Sequence, residues 1–191
     1  MKHIGLFGGS FNPIHTGHIH LARQLLQLSH LDAVWLMVSP QNPLKKNSDS
    51  LLDDMLRYHM ARIALHGQNA ITVSNYEFHL PKPSYTWNTL QHLSADYPHY
   101  TFHLLIGADN WQHFNQWYRA ADIMAGYHIM VYPRSGCITP PAPSTANVTM
   151  INAQLIDISS TLIRQRVRQG KDITSLVPPA IKPLVQKLYR T

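Results

Sequence analysis

A single cysteine, Cys137, stands in a chain of 191 residues. No internal disulfide can form, and the composition suits a reducing compartment such as the cytoplasm. No apolar run approaches the ~18 residues of a transmembrane helix, which argues against a membrane protein. The N-terminus has only Lys2 before it reads into an apolar run, so no signal peptide is expected. Acidic residues are scarce: 10 Asp and Glu stand against 16 Lys and Arg, leaving a formal charge of +6. A basic surface suits polyanions of any kind. The Lys and Arg are scattered, Lys45-Lys46 is the only tight doublet, and no aromatic-basic module is present, which weakens a nucleic-acid reading. There is no internal repeat and no low-complexity stretch. What remains is 45% hydrophobic and 14% charged, the balance of one compact globular domain over 1–191 with a real core.

The stretch from Leu6 to His18 organises this chain. An apolar run over 4–7 breaks at Gly8-Gly9, passes a turn at Asn12-Pro13 and delivers His15 and His18. An apolar-periodic segment follows at once through Ile19, Ala22, Leu25 and Leu26. Strand, glycine turn and helix in that order put free N–H groups and two imidazoles at a helix N-terminus, which binds phosphate. The glycines lack a Cβ, so backbone can approach a ligand closely. With 13 histidines and 9 glycines in the chain, chance supplies only about 0.04 His-x-Gly-His motifs.

Further along, 33–38 reads as a parallel strand buried on both faces. Residues 39–50 form a polar loop, and Ser50 is the expected cap of a helix running to about His66 on the stripe Leu52, Met55, Leu56, Met60 and Ile63. A short strand covers 70–74, an irregular segment 75–84, and Ser84 is expected to cap a helix through Ala95. Strands follow over 100–106 and 127–132, with aromatic-rich helical turns over 111–125 between them. A proline-rich loop spans 133–146. Strands are expected over 148–151 and 155–158, then helices over 159–169 and 178–189, with Gly170 as the stop between them. Alternating strands and helices indicate an α/β, Rossmann-like, doubly wound domain with a mainly parallel sheet. Ligands of such sheets sit beyond the carboxyl ends of the strands, and every interesting cluster here follows a strand.

The second cluster is Ile158-Ser159-Ser160-Thr161-Leu162-Ile163-Arg164. Hydroxyls at a helix start can cap the helix or ligate phosphate oxygens together with its free N–H groups. Arg164 and Arg168 share one helical face.

The two clusters together resemble the nucleotidyltransferase superfamily. With Pro-Ser-Tyr-Thr-Trp-Asn-Thr-Leu at 83–90 and Gly-Ala-Asp-Asn through Trp117 at 107–117, the chain is similar, over essentially its whole length, to the bacterial nicotinate-nucleotide adenylyltransferases. That resemblance implies the joining of ATP, with Mg²⁺, and nicotinate mononucleotide to give deamido-NAD and pyrophosphate. It implies His15, His18 and Arg164 as catalytic residues. Gly8, Gly9, Ser10 and Phe11 would line the ATP site with both histidines. Gly107 and Asp109 would face a ribose, and Ile158, Ser160, Thr161 and Arg164 would complete the phosphate end. Lys45, Tyr85 and Thr86 would bind the mononucleotide, and Trp117 would stack on its pyridine ring. No dedicated protein metal site is implied, no nucleic acid or membrane partner, and an oligomer stays open. Asn12, Leu44 and Asn88 depart from the family pattern, where Asp, His and Asp are common. The alternatives are a dual-specificity or nicotinamide-mononucleotide enzyme, a phosphopantetheine or synthetase-like relative, and a non-catalytic nucleotide or RNA binder.

Overall fold

The computed structural model describes residues 1–40, 51–137, 147–154 and 156–190. Lys45, Leu44 and Ser50 lie outside the described residues, as does most of the proline-rich loop. Six strands form one sheet: β1 (Lys2–Gly9), β2 (Ala33–Val38), β3 (Ile71–Ser74), β4 (Tyr100–Gly107), β5 (His128–Tyr132) and β6 (Val148–Met150). Their order is β3-β2-β1-β4-β5-β6, and every neighbouring pair is parallel. The order reverses between β1 and β4, which places a crevice at the carboxyl ends of these two strands.

Strand side chains alternate between the two faces. Phe7, Leu105, Met130 and Tyr132 join one core with helices α1 (Thr16–Leu28), α2 (Asp54–Ala64), α6 (Ser160–Arg168) and α7 (Lys182–Leu188). Leu6, Leu104, Ile106 and Val131 join the other core with α3 (Thr86–Asp96), α4 (Ala108–Trp111) and α5 (Ala120–Gly126). Both faces are covered, which is why these strands read as continuous apolar runs. Gly170 ends the α6 region with φ +65°, a left-handed value suited to glycine.

Five expectations need correction. The cap of α2 is Asp53, whose carboxylate accepts the N–H groups of Met55 and Leu56 at 2.9 and 3.2 Å. The inward face of α2 is Arg57, Met60 and Ala61, while Met55, Leu56 and Ile63 are exposed. The apolar stripe misleads because Arg57, only 1% exposed, finds three backbone acceptors inside. Its guanidinium donates to the carbonyls of Ser10, Ser39 and Leu52 at 2.6, 2.9 and 2.8 Å. Ser84 does not cap α3; that helix starts after Tyr85 without a side-chain cap, and the buried Ser84 hydroxyl faces the Glu77 carboxylate instead. Residues 156–158 form no strand, since the sheet ends at β6, and Leu155 lies outside the described residues. Within 75–84 a 3₁₀ turn, Tyr76–His79, replaces the irregular segment.

Candidate active site

A cleft of about 750 Å³ opens at the crevice between β1 and β4. Gly8, Gly9, Ser10, Phe11, His15 and His18 line one side of it. Asp109, Ile158, Ser160, Thr161 and Arg164 line the other. Residues about 150 apart in sequence therefore meet, as their shared phosphate chemistry suggests. A smaller chamber of about 150 Å³ adjoins it and shares His15, His18 and Ile158.

The His-x-Gly-His turn has a definite construction. His15 is the N-cap of α1, its Nδ1 accepting the backbone N–H of His18 at 3.3 Å. The two imidazoles stack with centroids 3.6 Å apart. Gly17 leaves room for this fold-back, because a Cβ there would stand 3.0 Å from His15 Nδ1 and press on its ring. With Nδ1 an acceptor, neutral His15 carries its hydrogen on Nε2. Burial, then the Arg134 guanidinium, pushes the His15 pKa down to about 3. His18 is also held well below its ordinary value, by burial first, then by His15 and Arg134. Without ligand both imidazoles are neutral at physiological pH, and His18 Nδ1 is buried without a hydrogen-bond partner.

The glycine turn divides its labour. Gly8 has nothing within 4 Å of an added Cβ, whereas a Cβ on Gly9 would meet the Phe11 ring at 3.0 Å. Phe11 adopts φ 45°, a left-handed value that costs a non-glycine residue on the order of 1–3 kcal/mol. Edge contacts of its buried ring with Phe7 and His18, at 5.8 and 5.0 Å, hold it there.

Much of the second cluster secures the turn. Ser160 Oγ donates to the carbonyl of Pro13 at 2.9 Å, and Arg164 Nη1 to that of Asn12 at 2.7 Å. Ser159, rather than Ser160 or Thr161, caps α6 by accepting the N–H of Leu162 at 3.1 Å. Asn12 Oδ1 accepts from the hydroxyl of Tyr189 at 2.6 Å and from the N–H of Leu52 at 3.3 Å. Asn12 thus joins α7 and the entry to α2 to the turn through one acceptor oxygen, which an Asp would equally supply.

Sequence reasoning missed Arg134. It lines both cavities, lies with its guanidinium carbon 5.6 Å from the centre of the Tyr132 ring, and stands 3.6 Å from Asp109 Oδ1. The Arg134–Asp109 distance is an ion pair rather than a hydrogen bond, so Nε has no hydrogen-bond partner. The available signal was its place just beyond a strand. Gly107 makes the approach feasible, since a Cβ there would sit against Asp109 Oδ1 and 3.0 Å from Arg134.

Tyr85, Thr86 and Trp117 are absent from the lining of the large cleft. Tyr85 packs on Tyr118 with centroids 5.0 Å apart, and Trp117 on Phe114 at 5.2 Å. The Trp117 Nε1 is buried without a hydrogen-bond partner.

Residues 6–166 match the cytidylyltransferase-like family. A Bacteroides fragilis (strain YCH46) protein named as a nicotinate-nucleotide adenylyltransferase is 43% identical over 184 residues, covering 96% of this chain and 91% of its own. The chain belongs to the nicotinate-nucleotide adenylyltransferase family. A second member, from Cytophaga hutchinsonii, is 42% identical over 95% of this chain and 94% of its own. A solved structure named for the Vibrio parahaemolyticus enzyme superposes with a TM-score of 0.73 at 26% identity, covering 100% and 96% of the two chains. The Plasmodium falciparum nicotinic acid mononucleotide adenylyltransferase, solved in complex with NaAD, shares the fold at a TM-score of 0.78 and 20% identity. Its coverage is 98% of this chain and 94% of that one.

Proposed function

We propose that this chain transfers the adenylyl group of ATP to nicotinate mononucleotide, giving deamido-NAD and pyrophosphate in NAD biosynthesis. The observation that carries this reading is the neutral, stacked His15–His18 pair at a helix N-terminus, facing Arg164 and Arg134 across one cleft. A phosphate oxygen of the mononucleotide is already a nucleophile, so no serine or cysteine nucleophile is required. That oxygen forms a bond to the α-phosphorus of ATP as the bond from this phosphorus to the pyrophosphate oxygen breaks. Catalysis then consists of aligning two polyanions and stabilising the charge that develops.

His15 Nε2 donates to a phosphate oxygen, and His18 to the α-phosphate. Thr161, Arg164 and the N-terminus of α6 meet the β- and γ-phosphates, with Ser160 holding the turn and contributing whatever hydrogen-bonding capacity its Pro13 contact leaves. Asp109 takes a ribose, and Arg134 supplies a further cation to the phosphates. Tyr85, Thr86 and Trp117 serve the nicotinate ring, and Lys45 the mononucleotide phosphate. ATP enters as its Mg²⁺ complex. The reading places the enzyme in the cytoplasm with small-molecule partners.

Pyrophosphate release from ATP, measured across a panel of mononucleotides, tests it. Turnover with nicotinate mononucleotide and none with ATP alone is expected. Isolation of an adenylylated protein from ATP would sink the direct transfer, and turnover only with another acceptor would replace the substrate.

A further inference from the structure

Glu77 has no part in the chemistry above, yet it is buried with its carboxyl group turned inward. It lies in the turn Tyr76–His79, between β3 and α3. Its Oε1 accepts the Thr89 hydroxyl at 2.9 Å, in the first turns of α3. Thr89 also ties to Tyr85, its backbone N–H and hydroxyl lying 3.2 and 3.4 Å from the Tyr85 carbonyl. On the other side, the Ser39 and Ser84 hydroxyls both face the same carboxylate. Ser39 belongs to the phosphate cleft: its N–H donates to the Gly9 carbonyl at 2.9 Å, and its own carbonyl accepts from Arg57. One buried carboxylate thus stands between the glycine turn and the start of α3. Its partners are hydroxyls rather than cations. Burial pushes the Glu77 carboxyl pKa up, and the hydroxyls oppose that push.

We propose that Glu77 is a positioning residue that locks the first turn of α3, and with it Tyr85 and Thr86, in register with the phosphate cleft, and so sets discrimination between acid and amide mononucleotides. The inference rests on the function proposed above. The nicotinate carboxylate and the reacting phosphate are two ends of one rigid substrate. A segment that reads the carboxylate helps only if its distance from the phosphate site is fixed. Tyr85, the N-cap position of α3, makes no side-chain capping hydrogen bond that would fix it. The Glu77–Thr89–Tyr85 chain supplies the missing constraint.

The test compares Glu77→Ala, Glu77→Gln, Thr89→Val and Thr89→Ser with the unmodified enzyme, measuring kcat and KM for ATP and for both mononucleotides. Glu77→Ala and Thr89→Val should lower the preference for the acid in kcat/KM by about 10- to 100-fold, the loss expected for one misplaced charge-assisted hydrogen bond. The loss should appear in KM for nicotinate mononucleotide, with KM for ATP nearly unchanged. Thr89→Ser keeps the hydroxyl and Glu77→Gln keeps one acceptor oxygen, so both should retain most of the preference. If Glu77→Ala fails to fold, the Thr89 pair decides the matter. Equal losses for ATP and both mononucleotides, or an unchanged preference, overturn the role of Glu77. No turnover of nicotinate mononucleotide by the unmodified enzyme would instead remove the functional reading itself, and this inference with it.

Discussion

His15 Nδ1 accepts the backbone N–H of His18 at 3.3 Å, so one imidazole both caps α1 and aims its Nε2 hydrogen into the cleft. Capping and catalysis are separable by substitution. His15→Ala should lose a cap contribution of about 0.5–2 kcal/mol and also activity. Asn is a good capping residue, so His15→Asn should recover the stability without the turnover. His18→Ala also removes a ring packed on His15 and Phe11, so its urea midpoint should fall too. In the protein still folded, kcat should drop by about 10²- to 10³-fold, as for removal of one preorganised donor. Near-normal turnover in His18→Ala would place the α-phosphate elsewhere.

Neutral imidazoles beside a polyanion make ATP binding proton-linked. In the free protein His15 titrates near pH 3 and His18 is held well below its ordinary value, both chiefly through burial. Phosphate charge at contact distance favours imidazolium and raises both pKa values. Binding should therefore take up protons, and ATP affinity should increase as pH falls from 7.5 to 6. Calorimetric titration in two buffers of different ionisation enthalpy measures the uptake directly. His18→Ala should reduce it; an uptake of zero in the unmodified protein would contradict the site.

Gly107 is a sensitive position for a steric reason. An alanine Cβ there would collide with Asp109 Oδ1 and press on Arg134. Gly107→Ala should separate this ion pair and lower kcat/KM by at least tenfold, with little change in far-UV circular dichroism. Arg134→Ala should also lower kcat/KM. Because Arg134 depresses both histidines, its removal should raise their NMR-detected pKa values, a response that a purely structural side chain would not give.

The parallel, doubly wound class of the sheet and the two halves of the cleft were legible because apolar periodicity and the order strand, turn, helix are local signals. The clustering of His15 and His18 with Ile158–Arg164 followed from shared chemistry. What failed was whatever depends on a distant partner. Arg57 looks like a polar interruption of an apolar stripe until the carbonyls of Ser10 and Ser39 are seen to surround it. Ser84 precedes a helix yet leaves it uncapped, because its buried hydroxyl faces Glu77. Arg134 follows β5 by two residues and carries no motif, so only the fold brings it to the histidines.

A histidine ladder crosses the amino-terminal end of the sheet. His3 Nδ1 lies 2.9 Å from His103 Nε2, His103 Nδ1 lies 3.2 Å from His128 Nδ1, and His128 Nε2 lies 2.8 Å from Thr149 Oγ1. Each nitrogen–nitrogen contact holds one hydrogen, so the intact ladder accepts one added proton and a second must break it. Asp32, the nearest carboxylate in hydrogen-bond contact, binds the His3 backbone rather than its ring. His103 is pushed down to about 4, by burial and then by His128 and His3, and burial lowers His128 as well. A folded pKa below the unfolded value means that the unfolded chain binds the extra protons first. Stability from these groups is fully present above about pH 6.5 and lost as pH falls toward 4. Urea midpoints measured from pH 7 to 4 should fall steeply, and less steeply in His103→Leu. Parallel profiles would exclude the ladder as their source.

Stacking and charge are separable at the nicotinate end. Nicotinate and nicotinamide differ by one negative charge and by two donor hydrogens, while their rings stack alike. A site offering backbone N–H groups near Tyr85 and Thr86 favours the carboxylate, and the amide's NH₂ would face a donor. Charge-assisted hydrogen bonds are worth about 1.5–3 kcal/mol each, so a single mismatch gives roughly 10- to 100-fold discrimination and two multiply it. The unmodified enzyme should therefore prefer the acid by at least about two orders of magnitude in kcat/KM. Trp117 is already half-covered by its contact with Phe114. Its stacking surface is blind to the substituent on the pyridine ring. Trp117→Ala should weaken both mononucleotides by a similar factor and leave most of the preference intact. Comparable kcat/KM for the two substrates in the unmodified enzyme would make it a dual-specificity transferase. A preference that vanished only in Trp117→Ala would move acid recognition from the α3 turn to the indole, whose buried Nε1 has no hydrogen-bond partner.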